Sequence, residues 1–106
     1  MSDRYSHEAV ELELYIVNDH AVHKAYLQPC LKNLAKHHDR GEFYRERGLL
    51  SLSRVVNSAA KQYNLEHGSM TTAWHELFPK GDRDRVAEKL LDDFLTELRL
   101  GNRFWE

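Results

Sequence analysis

Leu49, Leu52, Val56, Ala59 or Ala60, and Tyr63 recur at intervals of three and four residues, and this spacing constrains the chain more than any other feature. At about 100° of rotation per residue these side chains line one stripe of an α-helix, and such a stripe needs an apolar surface to cover it. A matching surface lies downstream. Val86, Ala87, Leu90, Leu91, Phe94, Leu95 and Leu98 form a broad apolar face on a second helix. Asp82 is the expected cap of that helix, and Gly101-Asn102 ends it. The connections look short, so neighbouring helices are expected to pack antiparallel.

The rest of the chain fits the same plan. Ser6 suits the cap of a first helix, with Glu8 and Glu11 in its opening turns, where the helix dipole favours acids. Val10, Leu12, Leu14 and Ile16 alternate with Glu11, Glu13 and Tyr15 in a strand period, whereas Ala9, Leu12 and Ile16 share one helical face. Glu and Leu favour the helix, and no strand partner occurs downstream to pair the backbone groups of an isolated strand. Asn18-Asp19 either breaks this helix and caps another from His20, or sits as a polar pair on one continuous helix. Leu27, Leu31 and Leu34 then keep helical spacing. Within a helix Pro29 would remove a hydrogen bond at a cost of about 3 kcal/mol. The favoured reading starts a new helix at Pro29, with Gln28 extended before the ring.

Lys36, His37 and His38 occupy the last turn of that helix, and Gly41 suits the left-handed position after it. Gly48 weakens the start of the next helix by about 1 kcal/mol relative to Ala. The segment 69–72 offers caps for a short helix stopped by Pro79. Helices are therefore expected over 6–17, 20 or 29 to 38, 44–66, 72–78 and 83–100. The fold class is all-α: a single small bundle-like domain of four or five helices spanning 1–106, with loosely ordered tails at 1–5 and 103–106.

Composition narrows the setting. A chain of 106 residues holds one modest core, and 30% charged residues with only five Gly and two Pro describe a folded, helix-rich domain. Fifteen basic against seventeen acidic residues, net −2, provide no general attraction to nucleic acid or to an anionic membrane. One cysteine, Cys30, cannot form an internal disulfide and fits a reducing compartment. The first residues do not read as a signal peptide, and no apolar run approaches membrane-span length. The expected location is cytoplasmic, with no membrane association.

No catalytic motif or phosphate loop is present, so a binding role ranks ahead of an enzymatic one, and no cofactor is expected. Three groups of residues could still bind something. Tyr44, Trp74 and Trp105 are candidate anchors for a protein partner, since aromatics on short or terminal elements serve either a core or an interface. Arg40, Arg45, Arg47, Arg54 and Lys61, interleaved with Phe43 and Tyr44, could contact phosphates and stack a base. A solvated, salt-bridged helix face is the plainer account of those cations. His20 and His23 could supply two imidazole ligands from one helix, but no recognised spacing provides a third. Surface and cap histidines are the plainer account of seven in the chain. Cys30 reads as a small core residue ahead of a nucleophile.

The segments ELELYIVND, QPCLKNLAK, VVNSAAKQYNLEHG and DRDRVAEKLLDDF, with a following GN, resemble an uncharacterised family of small bacterial and phage proteins. Its members carry an ELELYI-x-ND opening, a P-x-x-KNL segment, an AAK-x-Y helix and an A-x6-F helix. The resemblance runs from about Glu11 to Asn102, and His20 departs from it. It implies an origin and a helical fold, and it brings no activity and no site residues. The leading expectation is a binding module of phage or mobile-element type that acts through a protein partner. Nucleic-acid binding and metal binding are the alternatives, and self-association is left open.

Overall fold

Ser6 caps the first helix as expected: its Oγ accepts the Ala9 N–H at 3.0 Å. The computed structural model describes residues 6–68 and 71–105. The expected tail at 1–5, the terminal Glu106, and residues 69 and 70 of the expected capping segment 69–72 lie outside these residues. Helix α1 (His7–Asn18) settles the conflict of periods in favour of the helix. Ala9, Leu12 and Ile16 are completely buried, while Val10 and Leu14 of the alternating set are 37% and 51% exposed.

The chain breaks at Asp19, whose backbone is extended (φ −75°, ψ 117°). Its carboxylate accepts the Val22 N–H at 3.1 Å and so starts α2 (His20–Val22). The backbone at Pro29 differs from the expected helix start. Gln28 is helical (φ −58°, ψ −47°), not extended, and no new start occurs at the proline. A π-helical turn (His23–Leu27) leads without interruption into α3 (Gln28–Asp39). In that turn the Gln28 N–H reaches back five residues to the His23 carbonyl. The wider turn relaxes the i−4 register in which a proline ring meets a carbonyl. Lys24, Ala25 and Pro29 are all exposed, so water can serve backbone groups that lack an internal partner. Residues 20–39 thus form one helical run with a bulge. Gly41, at φ +72°, ends it, and the Glu42 N–H closes the turn on the His37 carbonyl at 2.8 Å.

Three further helices complete the domain: α4 (Arg45–His67), α5 (Trp74–Leu77) and α6 (Lys80–Arg99). Helix α6 starts three residues before the expected point, so Asp82 lies inside its first turn, where its charge suits the dipole, and is not the cap. Phe78 is extended before Pro79, as the ring requires (φ −124°, ψ 90°). The described residues are all-α and contain no strand. Taking 20–39 as one unit, they form five helices.

The core lies where α1, α4 and α6 meet, with α3 closing over α4. Leu12, Ile16, Leu52, Val56, Leu91 and Phe94 are completely buried in it. Gly48 has a packing role that its low helix propensity hides. A Cβ there would stand 2.9 Å from the Phe43 ring and 3.1 Å from Leu91, so the missing side chain lets Phe43 and α6 approach the start of α4.

Residues 103–105 do not form a loose tail. Gly101, at φ +79°, turns the chain back, and the Asn102 N–H bonds to the Glu97 carbonyl at 2.9 Å. Trp105 is completely buried, with its ring 4.7 Å from that of Phe94. Gln28 Nε2 donates to the Trp105 carbonyl at 2.7 Å, and Arg103 pairs with Asp39 at 2.9 Å. An indole removes a large apolar area from water, and here that gain outweighs the entropy of fixing a short terminal segment.

Candidate functional site

The three candidate aromatic anchors have different fates. Tyr44 precedes α4 and is 62% exposed, with the Arg47 guanidinium 5.5 Å from its ring centroid. Trp74 is half-buried on α5. The Lys61 ammonium lies 5.1 Å and the Arg83 guanidinium 4.7 Å from its ring centroid. Arg83 is itself fixed, donating to Asn57 Oδ1 at 2.6 Å and to the Phe78 carbonyl at 2.8 Å. Trp105 is completely buried in the core and is not displayed on the surface for a protein partner, which corrects its assignment as an anchor.

The basic segment divides. Arg40 is exposed at the end of α3, and Arg45 is committed to Asp92 on α6 at 2.9 Å. Arg47, Arg54 and Lys61 recur every seven residues and so share one stripe of α4. The steps are about 10 Å along the axis at the standard rise. No carboxylate lies between Glu46 and Glu66.

Sequence reasoning missed a third surface. Val10, Leu14 and Val17 succeed one another at four and three residues on the outer side of α1, and Val17 is 43% exposed. The signal was present in the strand-like alternation, whose members outside the Ala9–Leu12–Ile16 face had to point elsewhere. Val17 also borders a groove of about 320 Å³. Leu27, Leu31 and Leu90 contribute apolar lining, exposed Phe104 borders it, and Asp93 and Glu97 add carboxylates. Beside it, Lys89 bridges Glu13 at 3.3 Å and Asp93 at 3.1 Å. Three carboxylates (Glu13, Asp93 and Glu97) thus stand against one ammonium.

The histidines do not converge. His20 is exposed, and His23 lies beside Phe104 with ring centroids 6.5 Å apart. Among the described residues, no group of three or more His, Cys, Asp or Glu is arranged to hold a metal ion. Cys30 is partly buried against the core, and burial pushes its thiol up to about 11. At neutral pH it is a protonated thiol, not an activated nucleophile.

Two phenols pin α1 to α4. Tyr15 donates to Glu66 at 2.7 Å and Tyr63 to Glu11 at 3.1 Å. Burial, then the Glu66 carboxylate, drives the Tyr15 hydroxyl well above its ordinary value. Burial, then Glu11, raises Tyr63 in the same sense. Hydrogen bonds from Gln62 and Tyr15 hold Glu66 below the usual carboxylate range. Both hydroxyls stay protonated and act as structural donors.

No helix among the described residues is long and apolar enough to cross a membrane. No family model, curated protein or solved structure matches the chain.

Proposed function

We propose that this protein is a binding module whose α1 face and adjoining groove receive a basic amphipathic segment of a protein partner. The observation that carries the reading is the exposed line Val10–Leu14–Val17 running into the groove beside Phe104. A helical apolar face left open next to an apolar groove is the geometry of helix-in-groove recognition. The excess of carboxylates over Lys89 selects a positively charged flank on the incoming segment. Tyr44 adds a separate exposed aromatic. The half-buried single thiol suits a reducing cytoplasm, and the sequence resemblance suits a bacterial or phage setting.

The test uses two designed amphipathic helical peptides with the same apolar face, one flanked by Lys and one by Glu. The Lys-flanked peptide is expected to bind, to shift the NMR signals of Leu14, Val17 and Phe104, and to lose binding to Leu14→Asp. Equal binding of both peptides, or shifts confined to other surfaces, rejects the reading. Concentration-dependent dimerisation abolished by Leu14→Asp would show instead that a second copy occupies the face.

A second reading rests on the α4 stripe. Arg47, Arg54 and Lys61 present three cations along a stretch of α4 that has no carboxylate of its own, with Tyr44 and Trp74 near its two ends. We propose nucleic-acid backbone contact there as the alternative. Affinity for a DNA or RNA duplex should fall steeply with salt, and Arg54→Gln should reduce the salt slope by about one. No binding at low salt removes this reading.

A further inference from the structure

A second cavity, of about 330 Å³, lies between α3 and the docked C-terminal segment. Lys32, Ala35, Lys36, Asp39, Arg103 and Trp105 line it. Arg103 is paired with Asp39 across it at 2.9 Å. Lys32 and Lys36, one helical turn apart on α3, are exposed and make no ion pair among the described residues. The Trp105 Nε1–H is buried and has no acceptor. A buried donor without a partner costs about 1–3 kcal/mol, so natural folds rarely leave one without a use. Ala35 and the indole add an apolar wall to a cavity at the lower end of the range for small-molecule sites.

We propose that this cavity binds a small organic phosphate monoester with a flat apolar body. Two free ammonium groups match the roughly double negative charge that a phosphate monoester carries near neutral pH. The indole N–H supplies a neutral donor to a phosphate oxygen, and the indole and Ala35 receive the apolar part. Inorganic phosphate alone fills only the charged half of such a site, and a carboxylate brings one charge where the lysines offer two. The two cavities share no lining residue, so this site stands or falls independently of the α1 groove.

The experiment is an NMR titration of the full chain that follows the indole N–H signals of Trp105 and Trp74. The probes are phenyl phosphate, inorganic phosphate and benzoate. Phenyl phosphate is expected to shift the Trp105 signal saturably and to leave the Trp74 signal in place. Inorganic phosphate and benzoate should each bind more weakly, by about tenfold, the order expected when a charge-assisted hydrogen bond or an apolar contact is lost. The Lys32→Gln, Lys36→Gln double variant changes only exposed side chains and retains the Trp105 anchor. In it the phenyl phosphate shift should weaken at least about tenfold. The proposal is overturned if no probe moves the Trp105 signal, if both indoles move alike, or if the double variant binds as the unmodified protein does.

Discussion

The two tryptophans sit in opposite kinds of structure, and their burial runs against what those structures suggest. Trp74 lies in a regular helical turn yet stays half-buried, held by Lys61 and by an Arg83 that Asn57 and the Phe78 carbonyl fix in place. Trp105 lies in an irregular terminal segment yet is completely buried against Phe94. Regular local structure therefore does not decide which aromatic belongs to the core. The deciding factor is whether a distant surface supplies a pocket and a polar tether. Trp105 has both: the α6 face holds the ring, and Gln28, 77 residues away, takes the carbonyl. Trp74 has charged neighbours that tolerate water.

The difference between the two rings is tested most directly at Trp105. Trp105→Ala should destabilise the protein by about 3–5 kcal/mol, the range for deleting a buried aromatic, read as a drop in the urea midpoint. A loss below about 1 kcal/mol would mean that the segment is not part of the core. Trp74→Ala is expected to cost about 1–2 kcal/mol, from two cation–π contacts near the surface together with partial burial. A cost equal to that at Trp105 would erase the distinction. Gln28→Ala should cost about 1 kcal/mol and speed hydrogen exchange at the Trp105 indole, because one hydrogen bond tethers the segment there. Pro29→Ala should change stability by less than about 1 kcal/mol, because the π turn already accommodates the ring. A gain near 3 kcal/mol would show an unrelieved helix-interior proline.

The smallest effect lies away from both tryptophans, at the α1–α4 seam. Tyr15 and Tyr63 have hydroxyls raised above their ordinary value of 10.0, by burial first and by their carboxylate partners next. A phenol raised in the folded state contributes stability that is fully present below its unfolded value and is lost as pH rises toward the folded one. The melting temperature should therefore fall as pH rises above about 10. Tyr15→Phe should reduce that fall. An unchanged alkaline slope in the variant would place the pH dependence elsewhere.

Which of these features were legible in the sequence depends on the range of each interaction. The stripes of α4 and α6, the buried face of α1 and the glycine ends at Gly41 and Gly101 are local patterns, set by 3.6-residue periodicity and by φ preferences within a few positions. The break at Asp19 was one of two local options, and its capping bond to Val22 is also local. The π turn was not legible, because Pro29 became tolerable only through a widened backbone turn on an exposed side. The open α1 face was written in the alternation of Val10, Leu12 and Leu14, but which members stayed outside depended on how α1 rolled against α4 and α6.

The order of residues was enough to establish an all-α domain, most of its helical segments and the stripes that need cover, because turn periodicity and capping chemistry act over a few residues. Three-dimensional packing settled the rest: the fate of residues 103–105, the neutralisation of Arg45 by Asp92 and the two grooves. Asp39 and Arg103 lie 64 positions apart, and nothing local to either one specifies the other. Their meeting depends on the packing of whole helices, whose free energy is a sum over the entire core.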